Sequence, residues 1–385
     1  MTYADSWLLV SLGALLGCGS SSPSHGGSAD GGAHRGAGQH GDGAASPDGH
    51  GDDARRSDVD ARADGSAGAL DSGDRDAPPL CKKTPSGMVS LPMDDAFHAG
   101  QELEWWYWSG HLEAADGRWF GFEETFFSGV QSGVMGEEVD VALTDVQGAQ
   151  FLYDVTDQLG APVQVSDGFQ LEVSGQTATG GNGRDVLHGA PPGATFDLTL
   201  DSEKAPVLQY GDGYTTYSPS GFTYYYSREW MAATGTVVVG SESILVTGHA
   251  WFDHQWGQLD AVVQRGWQWF AIQLDDGREL MLYVMLVNGQ PIAPSGSLLD
   301  ANCNVTYLSG SDVEFASTGT WTSPHTQCTY PAGWQITYGD LTMTVTPTLQ
   351  DQELYSGMQK YWEGASTVTG TATGRAYVEL NGYCN

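Results

Sequence analysis

The chain has 385 residues, with 15 Lys+Arg against 48 Asp+Glu and a formal net charge of −33. So acidic a chain argues against binding to nucleic acid and against electrostatic attachment to anionic lipid. Its length is sufficient for two domains.

Residues 1–18 have features of an export signal. Trp7 to Gly17 is a mostly apolar run, too short to span a bilayer as a helix, and it leads into Leu-Leu-Gly-Cys ending at Cys18. This spacing resembles a bacterial lipoprotein box, although Met1 to Ser6 contains no Lys or Arg. We expect an exported protein that reaches a membrane only through a lipid on Cys18. The alternative is a buried apolar N-terminus.

Residues 19–87 are predicted to form a disordered linker. Gly, Ser, Ala, Asp and His dominate the segment, and such a composition cannot bury enough apolar surface to offset its ordering entropy. Its four histidines are better explained by solvated linker composition than by metal binding.

Four cysteines besides Cys18 predict two disulfide bonds, because an exported chain meets an oxidising environment. Three connectivities are possible. We favour Cys303 with Cys328, and Cys81 with Cys384, because the second bond would tie the ends of the folded region together.

From Met88 onward the sequence is typical of an all-β protein. Segments of five to ten residues alternate or are rich in Val, Thr, Tyr, Trp and Phe, and Gly, Asp, Asn and Pro separate them. Two hairpins stand out, with turns at Asp116-Gly117 and Asp276-Gly277. Their strands are Glu104 to Leu112 with Trp119 to Phe127, and Trp267 to Leu274 with Glu279 to Val287. The repetition indicates a duplication, so we predict two β-barrels at 88–258 and 259–385.

The stretch T-G-H-A-W-F-D-H-Q-W-G, Thr247 to Gly257, lies near the junction of the two halves, and Val368 to Glu379 repeats part of it. As a strand it would present alternate residues to opposite faces. One face would carry His249, Trp251, Asp253 and Gln255, and the other Ala250, Phe252, His254 and Trp256. A buried carboxylate is costly unless it is paired or used, so this strand is the best indication of function.

Five motifs occur in a familiar order. They are E-W-W-Y from Glu104, Y-Y-Y-S-R from Tyr224, G-H-A-W-F-D-H-Q-W-G from Gly248, W-Q-W-F with D-D-G-R-E-L-M-L-Y from Trp267, and Y-W-E-G with A-Y-V-E-L-N-G-Y from Tyr361. Over residues 88–385 this combination resembles the lipocalin-like AttH/CrtC family, which includes hydroxyneurosporene synthases (carotenoid hydratases) and predicted secreted hydrolases. The resemblance implies two tandem calycin-type antiparallel β-barrels and cofactor-free chemistry on apolar molecules.

Hydration of an unactivated alkene needs a proton donor, a positioned water and a pocket that tolerates a carbocation. A carboxylic acid with a raised pKa can donate the proton, and aromatic faces stabilise the cation. From the match to the family's G-x-A-W-x-D-H-x-W-G segment we expect Asp253 to be the acid, with His249 or His254 orienting it or the water. The alternative is that Asp253 and His254 form a hydrogen-bonded plug at the junction.

Tyr283 is a further catalytic candidate. The candidate ligand-binding residues are Glu104, Trp106, Trp108, Tyr225, Trp251, Trp256 and Trp269. For Trp106, Trp108 and Trp269, as for Trp105 and Trp267, barrel core is the alternative and the favoured interpretation. Glu104 has two further interpretations, a solvated rim residue or a partner of Arg228, and Glu363 and Glu379 are expected to brace the C-terminal barrel.

These features predict a protein that binds a hydrophobic small molecule, isoprenoid or lipid-like, either as a hydratase or isomerase or as a non-catalytic binding module. No cofactor is expected. No metal is expected either, because His249 and Asp253 on one strand would lie ~13 Å apart. A serine hydrolase lacks support because no G-x-S-x-G occurs. The sequence does not indicate an oligomeric state.

Overall fold

Antiparallel strands account for nearly all regular structure in the computed structural model, which describes residues 85–384 except 218–220, 260–265 and 357–359. Cys18, the linker up to residue 84 and Cys81 therefore lie outside the described residues. In the described part of the chain, helical residues are confined to two 3-10 turns, Met93–Asp95 and Gln209–Gly211. None of the described helices has the length and apolar character needed to cross a lipid bilayer.

The N-terminal sheet contains the first twelve strands. They are β1 Leu103–Ala114, β2 Trp119–Gln131, β3 Val134–Asp145, β4 Gln150–Leu159, β5 Phe169–Val173, β6 Gln176–Gly181, β7 Arg184–Gly189, β8 Ala194–Ser202, β9 Val207–Leu208, β10 Tyr214–Tyr217, β11 Gly221–Val239 and β12 Glu242–Gln258. The main path runs β4-β3-β2-β1-β12-β11-β8-β7-β6-β5, and β9 and β10 pair with β11. The two edges approach each other, since Gln158 Nε2 on β4 donates to the carbonyl of Glu172 on β5 at 2.8 Å. The sheet is therefore a nearly closed barrel.

The remaining strands form the C-terminal sheet and one small hairpin. They are β13 Trp267–Leu274, β14 Glu279–Val287, β15 Gln290–Pro291, β16 Ser295–Leu299, β17 Val305–Leu308, β18 Glu314–Ser317, β19 Thr320–Thr322, β20 Thr329–Pro331, β21 Trp334–Tyr338, β22 Leu341–Pro347, β23 Glu353–Tyr355, β24 Lys360–Gly370 and β25 Gly374–Asn381. The order is β17-β16-β14-β13-β25-β24-β22-β21-β18, with β15 on β14 and β23 on β24, while β19 and β20 pair separately. This sheet is the second barrel-like unit, which confirms the predicted all-β fold with two barrels.

The two halves share one topology, because the last strand of each sheet returns to pair with the first. β12 pairs with β1, and β25 pairs with β13. The first sheet ends at Gln258 and the second begins at Trp267. Both sheets belong to one compact unit, so a division into separate domains at 258/259 stays a prediction.

Both predicted hairpins are present and their turns match. Gly117 has φ +86° and Gly277 φ +79°, a region that glycine adopts without steric cost. Each glycine N–H donates to a carbonyl three residues earlier, Ala114 or Leu274. The acid before each glycine, Asp116 or Asp276, accepts from the following arginine N–H through its side chain. The same chemistry at both turns supports the duplication read from the sequence.

Three apolar clusters follow from strand alternation. One fills the N-terminal barrel with side chains that include Trp106, Trp108 and Phe252, and a second fills the C-terminal barrel with others such as Phe270 and Trp334. A third lies between the sheets and contains Tyr107, Tyr225, Trp251, Trp269, Ala271, Met281, Ala365 and Tyr377. The β1 and β12 residues that face away from the first barrel therefore face the second sheet.

The disulfide connectivity differs from the expected one. Cys328 is bonded to Cys384, and Cys303 is also disulfide-bonded. The predicted pairs Cys303–Cys328 and Cys81–Cys384 are therefore wrong. Cys384 follows β25 and Cys328 precedes β20, so the bond fastens the end of the chain to the small hairpin. Sequence spacing could not distinguish this arrangement, because the path of β18 to β20 is set by tertiary packing.

Candidate active site between the two sheets

Asp253 lies on β12 at the contact between the sheets, with only 3% of its surface exposed. The alternation predicted for β12 is confirmed. Phe252 and Trp256 belong to the core of the N-terminal barrel, whereas Trp251 belongs to the inter-sheet cluster. Asp253, two residues after Trp251 on the strand, is on the same face, so it meets the second sheet rather than the barrel interior.

A chain of hydrogen bonds crosses from one sheet to the other and ends on Asp253. Trp269 Nε1 on β13 donates to the hydroxyl of Tyr225 at 3.2 Å. Tyr225 in turn donates to Asp253 Oδ2 at 2.5 Å. Trp251 Nε1 donates to Asp253 Oδ1 at 2.8 Å. Each carboxyl oxygen thus has a donor from an aromatic side chain, and these donors fix the orientation of the group.

Burial decides the protonation of Asp253. Removal of the carboxyl from water raises its pKa to about 7, although hydrogen bonds from Ser227, Tyr225 and Trp251 favour the ionised form. A carboxyl with a pKa near neutrality can both give and take a proton, which is what general acid–base catalysis requires.

Four further carboxyls, one of which interacts electrostatically with Asp253, form a cluster between the sheets. Glu363 on β24 lies directly opposite Glu379 on β25 and accepts a 2.7 Å hydrogen bond from the Tyr107 hydroxyl of the N-terminal sheet. From the N-terminal sheet, Glu123 Oε1 accepts a hydrogen bond from the Thr125 hydroxyl at 2.7 Å. Asp140 Oδ2 accepts from the Tyr361 hydroxyl of the C-terminal sheet at 2.6 Å. The two sheets thus share a set of buried acids and phenols.

These acids hold protons more tightly than free carboxyls do. Burial, followed by repulsion from the neighbouring acids, raises the pKa of Glu123 and of Glu363 well above the usual value. Burial also raises the pKa of Asp140 and of Glu379 to about 7. Ionised carboxylates placed so close would repel each other strongly, so the cluster retains protons at neutral pH.

Asp253 and Glu379 occupy equivalent positions in the two halves. Asp253 is opposite Tyr107 on β1, and Glu379 is opposite Trp269 on β13. Tyr107 and Trp269 are themselves matched when the two hairpins are aligned. The sequences T-G-H-A-W-F-D and T-G-R-A-Y-V-E coincide in this register, so the repeat places one acid from each half in the same inter-sheet region.

Tyr210 connects the buried cluster to solvent. Its ring is 6.2 Å from that of Tyr225, and 40% of its surface is exposed. Its φ of +62° is an outlier for a bulky residue, and such backbone strain is found at functional sites. The sequence contains no signal for this conformation, because it arises in an irregular 3-10 turn.

The other predicted catalytic residues are divided among three places. Tyr283 on β14 is opposite Trp269 and packs against the inter-sheet cluster. His249 on β12 is half-exposed, with its ring 3.9 Å from that of Trp230. His254 points into the N-terminal barrel and contacts Glu104 and Tyr226. Its predicted role in orienting Asp253 is therefore wrong, because neighbouring residues on a strand face opposite sides.

The predicted ligand-binding residues also separate into two groups. Tyr225, Trp251 and Trp269 are beside Asp253. Glu104, Trp106, Trp108 and Trp256 are buried in the N-terminal barrel. The three tryptophans belong to its core, which was the alternative interpretation for Trp106 and Trp108. The proposed pairing of Glu104 with Arg228 is wrong, because Arg228 binds Asp95 at 2.9 and 3.1 Å.

Glu363 was expected to brace the C-terminal barrel, and that prediction is wrong. Its carboxyl accepts from Tyr107 in the other sheet. The sequence repeat did indicate where this acid lies, because Glu379 in the second half occupies the position equivalent to Asp253 in the first half. Glu363, its cross-strand neighbour on β24, could then have been placed beside it.

Two nearly closed antiparallel barrels with acids and aromatic residues buried between them define a two-barrel, lipocalin-like protein. The AttH-like family matches residues 82–383, and the chain belongs to that family. Comparison with curated proteins found no match.

Two solved structures show the same architecture. An AttH protein from Nitrosomonas europaea is 28% identical, covers 80% of this chain and 100% of its own, and superposes with a TM-score of 0.69. Kievitone hydratase from Nectria haematococca is 17% identical, covers 79% of this chain and 96% of its own, and gives a TM-score of 0.63. The second likeness is one of fold.

Proposed function

We propose that the protein catalyses the cofactor-free addition of water to a carbon–carbon double bond of an apolar molecule, isoprenoid or lipid-like, held between the two sheets. The proposal depends on one observation: the carboxyl of Asp253 is buried between Trp251 and Tyr225 and has a pKa of about 7. That combination supplies a proton donor in apolar surroundings.

In the proposed reaction Asp253 transfers its proton to one carbon of the double bond, and the other carbon becomes a cation. Water then adds to the cation through its oxygen and loses a proton. That proton returns to a carboxylate, so the site is restored without any external reactant. The reverse sequence removes water from an alcohol.

Glu379 is the second acid of this mechanism. Burial holds its pKa at about 7, and repulsion from Asp253 contributes to the shift. Two carboxyls that interact electrostatically and have pKa values near neutrality can work together, one as the acid while the other accepts a proton from water. Their equivalent positions in the repeat place the two acids on opposite sheets.

Aromatic rings suit the site to a cationic intermediate. The Trp251 and Trp269 rings are 5.9 Å apart and nearly perpendicular. Ring faces attract positive charge by about 0.5–2 kcal/mol each, with the higher values in dry surroundings. The fold shared with an enzyme described as a hydratase is consistent with this class of reaction.

Non-catalytic binding of a hydrophobic molecule is the second candidate. It is favoured by the fact that both oxygens of Asp253 already have protein donors. In that case the acid would fasten the sheets together, and the aromatic cluster alone would hold the ligand.

The variant Asp253→Asn separates the two functions. Turnover of isoprenoids and lipid extracts, followed by mass spectrometry for a gain of water, is expected to fall at least about a hundredfold, while ligand affinity stays within threefold. Glu379→Gln should behave similarly. Asp197→Asn, an exposed acid on β8, is the matched control. If the wild-type protein binds these molecules but converts none of them, the binding function holds instead.

We also propose that the protein is exported and attached to a membrane by a lipid on Cys18. The Cys328–Cys384 disulfide supports an oxidising compartment, because such bonds are rare in the cytosol.

A further inference from the structure

A second polar cluster is located on the other face of β1 and β12, inside the N-terminal barrel. Glu104 is on β1 and His254 is on β12, where the residues opposite them are Trp256 and Trp106. The two side chains are therefore diagonal neighbours on one face. His98, from the loop before β1, completes the cluster. None of these residues points toward Asp253.

The three side chains present ligand atoms to one point. Glu104 Oε1 is 2.8 Å from His98 Nδ1 and 2.8 Å from His254 Nε2. One ligand atom from each of the three residues lies within 4.8 Å of the other two. Two imidazole nitrogens and one carboxylate oxygen form a donor set that zinc and similar divalent transition metals use in proteins.

The remaining nitrogens of both histidines are directed to polar partners. His98 Nε2 is 3.6 Å from Asp94 Oδ1. His254 Nδ1 is 3.4 Å from the hydroxyl of Tyr226, which donates to Asp95. Metal-binding histidines characteristically have such an outer partner, because it fixes the tautomer and the ring orientation.

Aromatic stacking holds both rings in place before any ligand arrives. The His98 ring stacks on Trp256 at 3.9 Å with planes 6° apart, and the His254 ring stacks on Trp106 at 4.7 Å. The side chain of His98 is 20% exposed, whereas those of Glu104 and His254 are almost fully buried. An ion would therefore enter past His98, and water could complete its coordination.

We propose that His98, Glu104 and His254 bind one zinc-class divalent cation at the mouth of the N-terminal barrel. The bound ion would tie the loop carrying His98 to β1 and β12. His249 and Asp253, the pair considered for a metal from the sequence, are not part of this site. The site is independent of the proposed inter-sheet chemistry, since it lies on the opposite face of both strands.

The test is calorimetric titration of the full chain with Zn²⁺ after dialysis against a chelator, with Co²⁺ absorption as a second readout. The wild-type protein is expected to bind one ion more than His98→Ala, which should also lose the Co²⁺ bands. His254→Gln and Glu104→Gln should weaken the same binding event at least tenfold. The four linker histidines add the same background of Zn²⁺ binding to every variant. The site is therefore measured as the difference in bound Zn²⁺ between the wild type and each variant.

His188→Ala is the matched control. His188 forms a 2.7 Å pair with the exposed Asp197, and the metal-ligand groups found among the described residues do not include it. Its removal should leave the titration unchanged. Identical Zn²⁺ binding by wild type and His98→Ala would overturn the proposal, and so would equally tight binding of Mg²⁺, which prefers oxygen ligands. The far-UV circular-dichroism spectrum of His98→Ala without metal should match that of the wild type and exclude misfolding.

Discussion

The Tyr107 hydroxyl on β1 donates a 2.7 Å hydrogen bond to Glu363 Oε1 on β24, so a phenol of one sheet is bonded to an acid of the other. Both groups are buried. The contact joins the halves at the point where their acids are concentrated.

Removal of that phenol should destabilise the protein. Tyr107→Phe deletes the donor and leaves a buried carboxyl oxygen without it, which should lower the free energy of unfolding by about 1–3 kcal/mol. Urea denaturation followed by tryptophan fluorescence measures the change. Tyr224→Phe is the control, because the Tyr224 ring packs on Trp256 and, among the described residues, its hydroxyl makes no hydrogen bond. Its free energy of unfolding should change by no more than about 0.5 kcal/mol. Equal losses in both variants would contradict the inter-sheet bond.

The inter-sheet acids should make stability depend on pH. Asp253 has a folded pKa of about 7, above the ordinary value of 3.8. The folded state therefore holds the proton more tightly, and stability falls as pH rises from about 4 to about 7. One fully titrating group contributes about 1.4 kcal/mol per pH unit within that window.

Urea unfolding of the wild type and Asp253→Asn at several pH values tests this dependence. The wild type should lose stability faster than the variant between pH 5 and pH 7, and the difference should level off above that range. Asp197→Asn serves as the exposed control. A pH dependence that is the same in Asp253→Asn and wild type would show that this carboxyl does not hold its proton in the folded protein.

Lys204 and Glu279 form a buried ion pair between the sheets. Lys204 Nζ lies 2.7 Å from Glu279 Oε2 and 2.7 Å from the carbonyl of Gly277, and both side chains are at most 2% exposed. Lys204→Met strands a buried acid and should cost about 3–5 kcal/mol, much of which the double change with Glu279→Leu should restore.

A double-mutant cycle by chemical denaturation measures that coupling. Arg184→Met is the comparison, because the Arg184–Asp201 pair at 2.5 Å is exposed on both sides. Its loss should cost no more than about 1 kcal/mol. If Lys204→Met alone lowered the free energy of unfolding no more than Arg184→Met does, the Lys204–Glu279 pair would have to be solvated.

The disulfide connectivity can be read directly. Proteolysis without reduction should release a peptide pair containing Cys328 and Cys384, which are separated by 56 residues in sequence. A loop of that length predicts that Cys384→Ser costs about 4 kcal/mol in the chain-entropy description, with measured values typically about 2–4 kcal/mol. Recovery of a Cys303–Cys328 peptide pair instead would reinstate the connectivity first expected.

The proposed lipid anchor is tested by Cys18→Ser. Expressed in a bacterium with the full signal, the wild-type protein should partition into the detergent phase and incorporate labelled palmitate, whereas the variant should do neither. Cys303→Ser leaves the anchor intact and controls for general effects of cysteine loss. Aqueous partitioning of the wild type would contradict the anchor.

Local signals in the sequence predicted the fold well. The Asp-Gly turns and the alternation along Thr247 to Gly257 depend on residues close together in the chain, and both were confirmed. The family motifs also identified the architecture correctly. These features could be predicted because strand faces and tight turns are determined by neighbouring residues.

The candidate site was only partly predictable. Asp253, Trp251 and Tyr225 were singled out from the sequence and are in contact in the structure, and their role in function stays a prediction. Glu363 was given the wrong role, and His98 was overlooked. His98 lies in a loop with no periodicity, and its contact with His254 joins segments far apart in sequence. The protonation of Glu123 and Asp140 likewise depends on burial between the two sheets, which local patterns do not specify.

The pairing of β1 with β12 also means that the N-terminal sheet cannot be completed before β12 has been translated. Leu103 is opposite Gly257. The tryptophan-rich β1–β2 hairpin therefore emerges from the ribosome long before β12, the strand that pairs with β1, has been translated. Until then one edge of the hairpin is open to association with other nascent chains. A chaperone that keeps the chain unfolded until translation is complete would protect this edge. A polypeptide that crosses a membrane in an extended form is protected in the same way, because it folds only after the whole chain has been made.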